Sequence, residues 1–310
     1  MIITCDKCST RYNLDDSLIQ NKPVIKVRCS KCNNRFEVSP QKKEADLELL
    51  PQNVMEPHFD NTISISNQKG GVAKTSTCLN LGVSFSMMDK KVLLIDFDVQ
   101  ANLTISLGFA SNTPSFFDIL HDNSDDLDGY IIKTKYANLS LLPSNSRMAL
   151  LTKHYLHKPN FEFLLRDKLQ SITDSYDYII IDTPPALGFC TLNALMTSNY
   201  VIIPTPCEYL SMHGINKIEE IIQIVQRRTG RTIDYRILIT MHDALSTSSK
   251  VIYQKVKSMF KDKVLNTVID QDQKIKESQI VQLPVIHYDK DSSSARQYVQ
   301  LAREIIDLKA

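Results

Sequence analysis

The chain has 310 residues, room for about two domains at roughly 150 residues each. Hydrophobic residues make up 43% and charged residues 23%, which excludes a chain disordered throughout. Lys plus Arg (36) and Asp plus Glu (35) nearly cancel, so any nucleic-acid binding must come from a local patch rather than from overall charge. The longest apolar runs, such as Val92-Leu93-Leu94-Ile95, fall far short of the roughly 20 residues of a membrane span, so no transmembrane segment is expected. Met1-Ile2-Ile3-Thr4-Cys5-Asp6 lacks a charged stretch leading into an apolar one. A signal peptide is therefore not expected, and the cytoplasm, where thiols stay reduced, is the expected compartment.

Four of the seven cysteines fall in the first 32 residues, as Cys5-x₂-Cys8 and Cys29-x₂-Cys32. Two such pairs separated by twenty residues have the spacing of a four-cysteine zinc site, each pair forming one knuckle. A module over residues 1–38 is too small to fold on an apolar core alone, so Zn²⁺ is expected to supply much of its stability. A disulfide pairing and an iron–sulfur or redox role stay open on spacing alone. The opening Met1–Cys5 and the stretch Val27-Arg28-Cys29-Ser30-Lys31-Cys32 resemble small bacterial zinc-ribbon domains. Lys7, Arg11, Lys22, Lys26, Arg28, Lys31 and Arg35 give the module basic character, which leaves both nucleic acid and a protein as partners.

Residues 39–60 mix charge, proline and polar residues without a sustained period and read as a linker, with one helical turn expected at Ala45–Leu50. From residue 61 to 310 short β-rich runs alternate with helical patterns. The predicted strands are Thr62–Asn67, Lys91–Asp96, Leu139–Pro143, Tyr178–Asp182, Tyr200–Pro204, Tyr235–Thr240 and Val264–Ile269. Several are apolar without alternation, as strands buried on both faces are. Helical periods occupy the segments between them, as at Ile215–Val225 and Ala295–Leu308. The fold class is therefore α/β, a mostly parallel sheet flanked by helices.

Glycine is scarce, with eight in the chain, and two of the eight are adjacent. They lie in Lys69-Gly70-Gly71-Val72-Ala73-Lys74-Thr75-Ser76, between the first strand of this part and a helical pattern. A strand, a small-residue loop ending in Lys-Thr and a helix make a P-loop, whose backbone N–H groups and helix N-terminus hold phosphates. Lys74 would reach the β- and γ-phosphates of ATP, and the Thr75 hydroxyl would ligate Mg²⁺. Asp182 ends a very apolar strand, where an ionised carboxylate needs a cation, so it is expected in the magnesium shell. Asp96 and Asp98 stand two apart at another strand end, on one face.

These segments resemble the ParA/MinD family of ATPases, whose deviant Walker A motif begins with an extra lysine, here Lys69. The resemblance runs from about Thr62 to Leu308. It includes Leu94-Ile95-Asp96-Phe97-Asp98-Val99-Gln100-Ala101-Asn102, Ile179-Ile180-Ile181-Asp182-Thr183-Pro184-Pro185, Pro204-Thr205-Pro206-Cys207-Glu208-Tyr209, Ile239-Thr240-Met241-His242-Asp243 and Pro284-Val285-Ile286, and it favours the ParA branch. Ala73 stands where the family usually has glycine, and Val99 where it usually has proline. The resemblance implies a slow, partner-stimulated ATPase in which Asp98 orients the attacking water and Asp96 lies close to Mg²⁺. It implies that Lys69 reaches the partner subunit's nucleotide in an ATP-dependent homodimer. Such dimers bind DNA without sequence preference, and Lys250, Lys274 and Lys276, with Lys255, Lys257, Lys261 and Lys263, are the candidate contacts. A ParB-like or other activating protein is the implied partner, in chromosome or plasmid partition at the nucleoid. Two alternatives stand beside this reading: a MinD-like membrane- or protein-surface positioning ATPase, and a zinc-ribbon adaptor on a degenerate ATPase scaffold.

Overall fold

A computed structural model describes residues 2–8, 10–13, 25–38, 59–110, 112–208 and 211–309. The expected linker and its helical turn lie almost wholly outside the described residues, as do Lys22 and Tyr209. The chain divides into two units, Met1–Gln52 and Asn53–Ala310.

The first unit holds two antiparallel ribbons. β1 (Ile2–Thr4) pairs with β2 (Arg11–Asn13), and β3 (Ile25–Arg28) pairs with β4 (Arg35–Val38). The turn of each ribbon carries one Cys-x₂-Cys pair. Cys5 N donates to Thr10 O at 2.9 Å and Cys29 N to Asn34 O at 2.8 Å, closing the two knuckles alike. Buried Cys5, Cys29 and Phe36 are the centre of this unit.

The second unit is built on one eight-stranded sheet. In chain order its elements are β5 (Thr62–Ile65), α1 (Lys74–Ser86), β6 (Val92–Asp96), α2 (Asn102–Ser106), α3 (Phe116–His121), β7 (Ile132–Lys133), β8 (Leu139–Leu142), α4 (Leu150–Tyr155), α5 (Leu164–Leu169), β9 (Tyr178–Asp182), α6 (Phe189–Thr197), β10 (Tyr200–Pro206), α7 (Ser211–Thr229), β11 (Asp234–His242), α8 (Thr247–Phe260), β12 (Val264–Asp270), α9 (Gln273–Ile280), α10 (Val285–Tyr288) and α11 (Ser293–Lys309). The strand order is β12-β11-β10-β5-β9-β6-β8-β7. Every pairing is parallel except β7 with β8 at one edge.

The seven predicted strands are present, with ends shifted by one or two residues. Two differ more in kind: β10 runs on to Pro206 and β11 to His242, so both carry the chain further toward the cleft described below. The two-residue edge strand β7 was not expected from the sequence, being too short to show a period.

The unalternating apolar runs are explained by burial on both faces. In β6, Val92 and Leu94 pack on one side with Leu81, Phe85 and Leu301, while Leu93 and Ile95 pack on the other with Phe116 and Leu165. β5 lies between β9 and β10, and the chain leaves it toward β6 on one side before crossing to β10 on the other. That makes the carboxyl end of β5 a topological switch point, where open α/β sheets bind ligands.

α1 follows at this point and packs tightly. A Cβ on Gly82 would lie 2.5 Å from Leu94 Cδ2, and Leu94 is fully buried. Gly82→Val is therefore expected to destabilise the chain by about 2 kcal/mol or more through overpacking. The urea midpoint measures this, and an unchanged midpoint would contradict the contact.

Candidate functional site

The loop Ser66–Ala73 joins β5 to α1 and cannot be built from ordinary backbone alone. Gly71 has φ +69° and Ala73 φ +70°, both in the left-handed region. The first costs little because glycine has no Cβ, whereas an alanine there costs about 1 kcal/mol or more. The volume beside Gly70 and Gly71 is open, with nothing within 4 Å of a Cβ placed on either. The loop is pinned from neighbouring strands. Thr183 Oγ1 donates to Ile65 O at 2.9 Å, Thr240 Oγ1 to Val72 O at 3.2 Å, and Asn67 Nδ2 to Pro204 O at 2.8 Å. Asn67 Oδ1 accepts from Lys69 N at 3.0 Å, and Lys74 Nζ donates to Lys69 O at 3.0 Å. The result is a cleft of about 680 Å³ whose wall includes Gly70 through Ser76 and Asp98.

At the floor of the site three carboxylates meet one ammonium. β6 and β9 run in register, so Asp96 stands opposite Asp182. Thr75 Oγ1 donates to Asp182 Oδ2 at 2.7 Å, while Asp182 Oδ1 is buried without a partner among the described residues. Burial, with the nearby Asp96 charge, pushes the Asp182 carboxyl well above the usual carboxylate range, against the pull of the Thr75 bond and Lys74. Burial also raises Asp96 to about 6, although Thr104 N (2.8 Å), Thr104 Oγ1 (2.7 Å) and Asp98 N (3.2 Å) all donate to it. Asp98 Oδ1 accepts from Gln100 N at 3.0 Å, and its carbonyl accepts from Ser144 Oγ at 2.5 Å. Burial lowers Lys74, opposed by Asp182 and Asp98. An acidic floor with an unpaired buried oxygen beside a threonine hydroxyl fits a divalent cation. The open left-handed loop and Lys74 fit the phosphates that such a cation accompanies. When bound, Mg²⁺–ATP supplies the phosphoanhydride and the charge that polarises it. Lys74, Thr75, Asp98 and Asp182 are brought together here, with Asp96 bound mainly into its own loop.

Lys69 lies at the rim, one third exposed, with its ammonium ion-paired to Glu208 just beyond β10. Glu208 falls within the family resemblance but carries no role legible in the sequence. The only signal was an acid following a strand that ends on the phosphate side of the sheet. Thr104 and Asn67 were missed too, since ordinary polar residues carry no motif. The lysines expected to contact DNA are dispersed. Lys250 is exposed on α8, Lys274 on α9 pairs with Glu277 at 2.8 Å, and Lys276 lines the cleft. Lys263 pairs with Asp234 at 2.8 Å.

In the first unit the four Sγ atoms of Cys5, Cys8, Cys29 and Cys32 lie within 4.8 Å of one another. Cys5 and Cys32 Sγ are 3.6 Å apart and Cys8 and Cys29 Sγ 3.5 Å, far beyond the roughly 2.05 Å of a disulfide. An ion with Zn–S bonds of about 2.3 Å has tetrahedral S···S edges of roughly 3.8 Å, so the quartet fits Zn²⁺. The Tyr12 hydroxyl lies 3.0 Å from Cys29 Sγ and lowers that thiol to about 6, toward the thiolate a metal needs.

Asp182 gives the site a pH signature. Its unfolded carboxyl titrates near 3.9 and its folded carboxyl well above that, so its contribution to stability is lost as pH rises between the two values. Without nucleotide, Asp182→Asn should therefore gain about 1–3 kcal/mol on the parent chain between pH 4 and pH 8. It should also lose the protection given by Mg²⁺–nucleotide. Urea unfolding at the two pH values is the measurement, and a pH-independent difference would refute the buried-charge account.

Two family patterns match the chain, one over each unit. The pattern of an AAA domain matches residues 60–235, and that of a zinc-ribbon domain matches residues 1–37. The sporulation initiation inhibitor protein Soj of Bacillus subtilis is 38% identical over 78% of this chain and 97% of its own. The chromosome-partitioning ATPase Soj of Treponema pallidum is 34% identical over 79% and 96%. Among solved structures, a putative plasmid partition protein from Borrelia burgdorferi bound to AMPPNP superposes with a TM-score of 0.69 at 25% identity, covering 80% of this chain and 99% of that one. Cobyrinic acid a,c-diamide synthase from Mycobacterium smegmatis, with ADP and magnesium, gives 0.69 at 29% identity over 79% and 94%. Among the described residues no helix is long and apolar enough to cross a membrane. With its phosphate loop, acidic floor and cysteine quartet, the chain belongs to the ParA/MinD family of ATPases and carries a zinc-ribbon domain ahead of the ATPase.

Proposed function

We propose that this ATPase is a partitioning protein whose Mg²⁺–ATP form is a homodimer that holds DNA without sequence preference and lets go on hydrolysis. The observation that carries the reading is the acidic floor under the loop: Asp182 bonded to Thr75, with Asp98 on the cleft wall. In this reading Thr75 and Asp182 hold the magnesium, Lys74 neutralises charge on the phosphates, and Asp98 accepts a hydrogen bond from the attacking water. Gly70 through Ser76 form the cradle, and Asp96 keeps the Asp98 loop in place beside the metal. The Treponema pallidum Soj, named as a chromosome-partitioning ATPase, supports the cargo class. A ParB-like or other protein would accelerate the hydrolysis, and the nucleoid would be the place of work.

Exposed Lys250 and Lys257, seven residues apart on α8 and so on one face, suit a phosphate-contacting surface, with Lys274 and Lys276 nearer the cleft. The end of α11 is docked on the sheet, where Lys309 Nζ donates to Asp60 O at 2.7 Å and sits over the Tyr178 and Tyr200 rings. Residues 1–38 would be an independent zinc ribbon, 39–60 a linker and 61–310 the ATPase domain.

The lysines should separate. Lys69→Ala should bind ATP but lose the ATP-dependent dimer, whereas Lys74→Ala should lose both. Asp98→Ala should dimerise with ATP while hydrolysis falls by about 100-fold or more, since only the water loses its orienting group. Light scattering with and without ATP, beside phosphate release, reads all three. Normal dimerisation of Lys69→Ala would sink the cross-subunit role.

The full chain should hold about one zinc, and a chain without residues 1–55 none, with ATP binding intact. Elemental analysis after reducing, chelator-free purification checks this. Less than about a third of a zinc per chain, or loss of ATP binding on truncation, would overturn the metal or the independence respectively.

A further inference from the structure

The phosphate chemistry makes no use of the ribbon, yet the ribbon's second hairpin has a marked surface. Its register sets Val27 opposite Phe36 and Arg28 opposite Arg35. Directly opposed residues share a face, and faces alternate along a strand. Phe36 is buried with Cys5 and Cys29, and Val27 packs against them, so that face is committed to the metal cluster. The other face carries Arg28 and Arg35 side by side, both exposed. Among the described residues neither guanidinium has an ion-pair partner. Lys26 begins the same face, two residues from Arg28, but stands opposite the acid Glu37 in the register, so the two arginines are the directly opposed like charges. Lys26, Val27, Arg28, Arg35 and Phe36 line a concavity of about 430 Å³.

Like charges directly opposed weaken a strand pair, and a four-residue hairpin has little stability to spare. Two explanations could offset the cost: the arginines neutralise the zinc–thiolate cluster, or they face an anion outside the chain. The contacts to the thiols argue for the second. Those contacts come from the Tyr12 hydroxyl at 3.0 Å, the Thr10 hydroxyl at 3.2 Å and the Cys32 amide at 3.4 Å. Among the described residues no arginine joins them.

We propose that the β3–β4 face of the zinc ribbon is a binding surface for the phosphodiester backbone of nucleic acid, engaged through Arg28 and Arg35 without need of ATP. Three features select this occupant. Guanidinium forks match phosphate oxygens two at a time. Arg28 and Arg35, directly opposed across the hairpin, place their Cβ atoms about 5 Å apart, close enough for both to grip one stretch of a charged backbone. Exposed Lys7 and Lys31 extend the positive surface of the same small unit, whose exposed acid Asp6 is engaged by Asn34 Nδ2 at 2.5 Å. The inference is separate from the ATP-dependent DNA binding proposed above, because it requires neither nucleotide nor dimer.

The test uses the full-length, zinc-loaded chain without nucleotide and a mixed-sequence fluorescein-labelled DNA duplex, read by anisotropy over a salt series. The parent chain should bind, with log K falling linearly against log salt. Arg28→Gln with Arg35→Gln should keep its zinc, weaken binding about ten-fold or more at low salt, and flatten the salt slope by about 1.8, two phosphate contacts' worth. Arg28→Lys with Arg35→Lys should keep the parent slope, since the charges remain. An unchanged slope in the Gln variant, or no binding by the parent chain without nucleotide, would overturn the proposal. So would tighter binding to phosphatidylglycerol vesicles or to polyglutamate than to DNA. Zinc loss from the Gln variant would assign the arginines to the metal cluster and overturn it as well.

Discussion

Two carboxylates buried opposite each other, Asp96 and Asp182, set the terms for everything at the carboxyl end of this sheet. Strands buried on both faces are stable because they are apolar, and a carboxylate at the end of such a strand is a cost that hydrogen bonds only partly offset. Asp96 meets that cost with three donors, two from Thr104 on α2 and one from Asp98 N. Among the described residues Asp182 has one donor, Thr75, and a second oxygen with none. The shortfall is what a divalent cation repairs. It explains why the first hydroxyl of α1 and the end of β9 are held 2.7 Å apart, with the phosphate loop above them.

The same constraint explains which parts of the site were legible in the sequence. An acid closing Ile179-Ile180-Ile181 contradicts its surroundings so strongly that a cation is the natural resolution. Lys74 and Thr75 are legible because strand, loop and helix succeed one another locally. The cysteine quartet is legible because each knuckle is a four-residue affair and only the joining of the two is long-range. Glu208 was not, because its partner Lys69 is 139 residues away and an acid after a strand has many uses. Thr104 and Asn67 were not, because their roles are hydrogen bonds to backbone and to one buried acid, which leave no period and no motif. β7 was missed for a different reason: two residues at an antiparallel edge cannot display alternation.

Ala73 shows where a departure from a family pattern has a physical price. Alanine is small enough to suit the loop in volume. The backbone is the harder demand, since φ +70° is native to glycine and strained for alanine. A strain of about 1 kcal/mol is small against the many contacts that fix the loop, so the cradle keeps its form. Ala101, at φ +52° in the Asp98 loop, carries the same strain. Both strained alanines thus flank helix starts at the cleft, at the N-caps of α1 and α2.

The contact between Lys69 and Glu208 bears on how a dimer could be switched by nucleotide. In the isolated chain the signature lysine is not idle but paired within its own subunit. Its side chain is 33% exposed and that of Glu208 59%. A pair so open to water contributes on the order of 1 kcal/mol at most, because screening and side-chain entropy consume most of the attraction. Phosphates carry more charge and more acceptor oxygens than one carboxylate, and in the proposed dimer they would meet the lysine where water is excluded. The internal partner is therefore strong enough to keep Lys69 from straying across the rim and too weak to hold it against a facing nucleotide. Under the dimer reading, ATP need not force the lysine out of its place; it has only to offer a better anion.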